Sequence, residues 1–78
     1  MIKELYAISD IVEGEMKAPF IQPNLETAKR TFREACRNIE GIKEHSEDMQ
    51  LFSIGTFNTE TGDIIPKVEF IERGKKNE

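Results

Sequence analysis

The residues best suited to chemistry are four cations in the middle of the chain: Lys29, Arg30, Arg33 and Arg37. At helical pitch they fall within an arc of roughly 100° and form one basic rail. Such a rail can neutralise phosphates of single-stranded nucleic acid, and log K then falls by about 0.7 per contact against log salt. Glu26 and Glu40 share the arc. The spacing therefore also fits an ordinary solvated helix face.

Aromatic side chains could add stacking contacts, worth about 1–3 kcal/mol per base, and the candidates are Tyr6, Phe52 and Phe57. Alternation along the strands does not say which face the helix covers. We expect Tyr6 to be the most solvent-accessible of the three, because its hydroxyl tolerates water. Phe32 and Phe70 are expected in the core.

No residue pattern predicts an enzyme, a metal site or a cofactor. His45 lies among three carboxylates but has no helical i, i+4 partner, which is a weak signal for metal binding. Cys36 lies between apolar neighbours at helical spacing, where a buried and inert thiol is expected. The five glycines are scattered singly and form no phosphate-binding loop.

The composition of the 78 residues, with 37% hydrophobic and 33% charged, predicts one small domain without a membrane span. The N-terminal residues lack a secretory pattern, which favours an intracellular, reducing setting. Net charge is −4, yet residues 24–43 carry five basic against three acidic side chains. A domain of this size buries only about 60% of its unfolded surface, so we expect self-association as a dimer or larger oligomer.

The clearest element is a helix that begins after Asn24, a good N-cap, and ends near residues 38–41. Its predicted core-facing stripe has six apolar members: Leu25, Ala28, Phe32, Ala35, Cys36 and Ile39. A polar connector without periodicity follows at residues 43–48. The helix must bury its stripe, and a sheet face is the only partner long enough.

Strands are predicted at residues 4–12, 50–57 and 63–72, with a five-residue turn at 58–62. Residues 16–22 form a weaker candidate that Pro19 would confine to a sheet edge, as Pro66 would the last strand. Val68 and Phe70 alternate with charged residues as on a half-buried strand. The predicted fold is a two-layer α+β domain over residues 1–72, with one helix on an antiparallel sheet of three or four strands (ββαββ). Residues 73–78 are predicted to be a flexible charged tail with no means of packing.

Four stretches together resemble one family: LYAISD, a PF followed by the TAKRTFREA helix, SEDMQLFSIG, and GTFNTETGDI. Their order is similar to that of the small nonstructural protein of gokushoviruses, single-stranded DNA phages of the Microviridae. The resemblance spans about residues 5–64. It implies a role in genome replication and packaging in the host cytoplasm, as a counterpart of the replication-to-packaging switch protein of phiX-type phages. It implies single-stranded DNA binding, and no catalytic residue or cofactor.

We therefore predict a protein that binds single-stranded DNA stoichiometrically and without sequence preference. The predicted contacts are Lys29, Arg30, Arg33, Arg37 and Tyr6. The alternative is an adaptor that contacts the capsid precursor, the replication initiator or a host factor and binds no DNA. A purely structural assembly protein is a third hypothesis.

Overall fold

The computed structural model describes residues 1–77, which form one α-helix and five β-strands in two layers. In chain order the elements are β1 (Ile2–Asp10), β2 (Glu15–Met16), β3 (Phe20–Gln22), α1 (Leu25–Asn38), a 3-10 segment (Lys43–Asp48), β4 (Met49–Asn58) and β5 (Ile64–Arg73). The predicted α+β class, with one helix on an antiparallel sheet, is confirmed.

All strands pair antiparallel in the order β2-β1-β4-β5, and β3 also pairs with β1, on the side away from β4. The sheet thus has five strands where three or four were predicted. The extra strand arises because the predicted segment 16–22 is interrupted around Pro19, which lacks a backbone N–H. Both halves join the sheet edge, as expected, and β5 with Pro66 forms the opposite edge.

Helix α1 begins and ends where the sequence predicted. Asn24 caps it, because its Oδ1 accepts the backbone N–H of Thr27 at 2.9 Å and satisfies a donor that has no helical partner. The buried face comprises Ala28, Phe32, Ala35 and Cys36. Leu25 and Ile39, at the ends of the predicted stripe, are exposed.

The core lies between α1 and the half of the sheet where β1 ends and β4 begins. Tyr6, Ile8, Met49 and Leu51 cover the sheet side of this core and are all buried. The polar connector between α1 and β4 has regular structure. Residues 43–48 form 3-10 turns with a kink at His45. Ser46, in the middle of that segment, is fully buried.

Strand β5 faces the core differently from the prediction. Phe70 is 54% exposed, so the prediction that it lies in the core is wrong. Val68 is exposed as well, so the half-buried pattern predicted for this strand is also wrong. The cause is a register shift, in which Leu51 pairs with Glu72 but the next residue, Phe52, pairs with Phe70. The extra residue in this bulge, Ile71, packs against the core instead.

The C-terminal segment, residues 73–77, packs against the domain, and the prediction that it has no means of packing is wrong for these residues. Its backbone and side chains make hydrogen bonds to the 3-10 segment, to β4 and to the end of α1. The last residue of the predicted tail, Glu78, lies outside the described residues. Within residues 1–77, no helix has the length and apolar content needed to cross a membrane.

Candidate functional site

The basic rail lies on one face of α1, beside the buried stripe. Arg30, Arg33 and Arg37 are exposed, and the Lys29 side chain keeps 27% of its surface accessible. The four residues share this face because the apolar residues of α1 are turned toward the sheet. The structure therefore brings these predicted cations together.

Two of the four cations are paired with carboxylates of the same chain. Arg33 donates to both carboxylate oxygens of Glu72, from Nη2 at 2.9 Å and from Nε at 3.0 Å, and this hydrogen bonding raises the pKa of Arg33. Lys29 has a longer contact, 3.9 Å, with Glu26. Within residues 1–77, Arg30 and Arg37 form no ion pair. The rail is thus half neutralised and half available.

A cleft of about 710 Å³ opens between the second half of α1 and the C-terminal segment. Its charged lining in the described part of the chain consists of one carboxylate, Glu72, and five cations: Arg33, Arg37, Arg73, Lys75 and Lys76. Three of those cations come from the C-terminal segment, for which the sequence predicts a flexible tail. The sequence signal for this part of the cleft is the adjacent pair Lys75-Lys76. The amino-acid composition does not show that this pair lies beside the helix.

Backbone geometry holds the C-terminal segment in place. Gly74 donates its N–H to the carbonyl of Met49 at 2.8 Å, and Ser46 Oγ donates to the carbonyl of Lys75 at 2.5 Å. A Cβ at position 74 would lie 2.1 Å from the Ser46 carbonyl oxygen, so only glycine fits this approach.

The side chain of Asn77 anchors the far end of the segment. Its Nδ2 donates to the carbonyls of Cys36 at 2.7 Å and Lys43 at 3.0 Å. The Cys36 carbonyl belongs to the last turn of α1, where carbonyls have no helical partner. Asn77 therefore ties the segment to the end of the helix that carries the rail.

Tyr6 is not part of this surface, and the prediction that it is solvent-accessible is wrong. The residue is fully buried, with its ring 6.1 Å from that of Phe20 and under the cover of α1. The hydroxyl donates to Glu4, which satisfies it inside the domain. Burial, followed by the effect of Glu4, raises the pKa of Tyr6. A fully buried ring cannot stack on a base.

The two other aromatic candidates, Phe52 and Phe57, are partly buried. Phe52 contacts Phe70 edge to face, with centroids 5.8 Å apart, on the sheet face away from α1. Phe52 follows Leu51, which faces the helix, so its side chain points to the opposite side of the sheet. The rail and this aromatic pair thus lie on different surfaces.

The remaining reactive residue types have local structural roles. Glu44 accepts the backbone N–H of Gly41 at 2.7 Å, and its own backbone N–H and that of Gly41 lower the pKa of Glu44. Cys36 is buried, and desolvation, with a smaller effect of Glu72, raises the pKa of its thiol. Over the described part of the chain, no group of three or more His, Cys, Asp or Glu side chains could hold a metal ion.

Residues 3–77 match the family model described as Phage ORF5 protein. No curated protein and no solved structure matches the chain.

Proposed function

The chain belongs to the Phage ORF5 protein family, and from that premise we propose that it binds single-stranded DNA without sequence preference during phage genome replication and packaging. Binding is stoichiometric and involves no catalytic step. The contacts are the phosphates of the strand and the cations of the basic rail. Tyr6 has no part in the interaction.

The observation that supports the proposal best is that Arg30 and Arg37 are exposed on one helix face and form no ion pair with any carboxylate of residues 1–77. Two guanidinium groups that are already hydrated and unpaired can exchange water and counterions for phosphates without first breaking an ion pair. The excess of cations in the adjacent cleft adds to the local positive potential, although the net charge of the whole chain is −4.

The same geometry explains why binding should be indifferent to sequence. Tyr6 is buried and Phe52 lies on the other face of the sheet, so neither of them adds a stacking platform to the charge of the rail. Such a surface recognises the phosphate backbone alone. A protein that marks nascent genome strands for packaging needs this property, because every part of the genome must be accepted.

In finer terms, we propose that the protein is the gokushovirus counterpart of the phiX-type replication-to-packaging switch protein and works in the host cytoplasm. The similarity of LYAISD, TAKRTFREA, SEDMQLFSIG and GTFNTETGDI to gokushovirus small nonstructural proteins supports this assignment.

We also propose that the protein self-associates through the sheet face away from α1. Twelve large apolar side chains are exposed in the described chain, against ten buried hydrophobic residues, an unusual balance for a monomer. Ile64, Val68 and Phe70 are all more than half exposed. A second copy could cover them by packing sheet on sheet. Sedimentation velocity tests this: a dimer or larger species is expected, and a monomer at all concentrations would contradict it.

Fluorescence anisotropy with a labelled 30-nucleotide oligothymidylate tests the DNA proposal. The two unpaired rail cations, Arg30 and Arg37, predict a slope of log K against log salt of about −1.4, which reaches about −3 if Lys29 and Arg33 also exchange their carboxylates for phosphates. Equal affinity for a mixed-sequence strand is expected. Absence of binding at low salt would contradict the proposal and favour the alternative, an adaptor that contacts another phage or host protein.

A further inference from the structure

The basic cleft is lined by α1 on one side and by the C-terminal segment on the other. The C-terminal side takes no part in the rail contacts proposed above. The C-terminal segment contributes Arg73, Lys75 and Lys76 to the lining, opposite Arg33 and Arg37 of α1. We propose that this segment completes a two-walled phosphate-binding cleft, in which a single strand lies between the helix and the segment. The inference rests on the proposed function and adds a partner surface to it.

The charge of the cleft supports an anionic ligand. Among residues 1–77, five cations and one carboxylate line it, and that carboxylate, Glu72, is already engaged by Arg33. Within the same residues, the four other cations form no ion pair. Like charges that line one cleft repel one another, and a bound anion offsets this repulsion. The phosphodiester groups of a nucleic acid strand supply such charge at every nucleotide.

The position of this wall is fixed, because the C-terminal segment makes hydrogen bonds to three other parts of the domain. Gly74 bonds to Met49, the Lys75 carbonyl accepts from Ser46, and Asn77 bonds to the last turn of α1. Lys75 and Lys76 lie between these fixed points and are exposed. Their backbone is therefore held beside α1, and both residues line the cleft together with Arg33 and Arg37.

Asn77 acts in this scheme as a positioning residue that touches no phosphate. Its two bonds, to the carbonyls of Cys36 and Lys43, hold the segment against the helix end. Loss of these bonds would release Lys75 and Lys76 without changing the charge of the protein. This separates the effect of position from the effect of charge.

Two pairs of variants test the inference with labelled oligothymidylate of 30 nucleotides. Lys75→Gln/Lys76→Gln removes two cations from the wall, and Lys17→Gln/Lys67→Gln removes two cations elsewhere. We expect the first pair to weaken binding about tenfold at low salt and to make the salt slope shallower by about 1.4, while the second leaves the slope unchanged. Asn77→Ala should weaken binding at unchanged net charge, and Asn38→Ala, at the exposed end of α1, should not.

The outcomes separate this inference from the function it rests on. If the wild-type protein binds and the wall variants keep the same slope as their controls, the wall is wrong and the rail alone remains. If the wild-type protein does not bind, both proposals fail. Should Asn77→Ala lower the melting temperature markedly, the lysine pair, whose exposed side chains form no ion pair within residues 1–77, decides the question alone.

Discussion

Arg33 of α1 and Glu72 of β5 are joined by two parallel hydrogen bonds of 2.9 and 3.0 Å, although 39 residues separate them in the chain. The pair links the helix to the edge strand and lies where the basic rail meets the cleft. It also means that one rail cation is occupied by the protein itself. A phosphate that approaches Arg33 must compete with Glu72.

Removing Glu72 should therefore strengthen DNA binding. Glu72→Gln frees the Arg33 guanidinium and removes the one carboxylate that lines the cleft among residues 1–77, so we expect affinity for oligothymidylate to rise several-fold, with a steeper salt slope. Glu69→Gln is the matched control, since Glu69 is also on β5 and pairs with Lys67 at 3.1 Å. Equal gains in the two variants would show that net charge alone matters.

Tyr6 should not ionise while the protein is folded. Its folded pKa is raised above its ordinary value of about 10, so the stabilisation is complete below that pH and is lost as pH rises through the folded pKa. The chain has one Tyr and no Trp, so tyrosinate absorbance reports this residue alone. We expect ionisation to coincide with loss of far-UV circular dichroism. Ionisation near pH 10 in a protein that stays folded would refute the burial.

Phe32 and Phe70 should differ sharply in their contribution to stability. Phe32 is 1% exposed in the centre of the core, so Phe32→Ala should reduce the free energy of unfolding by about 3–5 kcal/mol. Phe70 is half exposed and contacts Phe52, so Phe70→Ala should cost only about 1 kcal/mol in the monomer. Urea unfolding at low protein concentration measures both. A loss for Phe70→Ala as large as that for Phe32→Ala would contradict the register of β5.

Glu44 should stabilise the turn after α1 in a pH-dependent way. Its folded pKa is lowered, so its contribution is present above its unfolded pKa of about 4.3 and is lost as pH falls through the folded pKa. Glu44→Gln should lower the melting temperature at pH 7 and leave it unchanged near pH 2. Glu40→Gln, at a nearby exposed position, is the control. A difference that persists at pH 2 would exclude the ionised carboxylate as the cause.

The helix and its rail could be predicted from sequence because their determinants are local. Asn24 bonds to Thr27 three residues away, and the apolar spacing of α1 fixes which side faces the sheet. The rail follows from the same spacing. No knowledge of distant residues was needed for either.

The errors concern features that depend on distant pairing. Alternation of apolar and polar residues defines two faces of a strand but does not say which face the helix covers. The prediction that Tyr6 is solvent-accessible is wrong for this reason. The predicted core position of Phe70 is wrong because a bulge puts Ile71 on the core side instead. The bulge depends on the register between β5 and β4. The packing of the C-terminal segment cannot be predicted from composition, because its hydrogen bonds involve backbone groups, which every sequence has.

The central claim is that the unpaired cations of α1 bind DNA phosphates. The most direct test compares the salt dependence of oligothymidylate binding by the wild-type protein, by Arg37→Gln and by Lys67→Gln, which removes the same charge from β5. The account predicts that Arg37→Gln weakens binding and makes the slope of log K against log salt shallower by about 0.7, while Lys67→Gln keeps the wild-type slope. Identical slopes for the three proteins would contradict it.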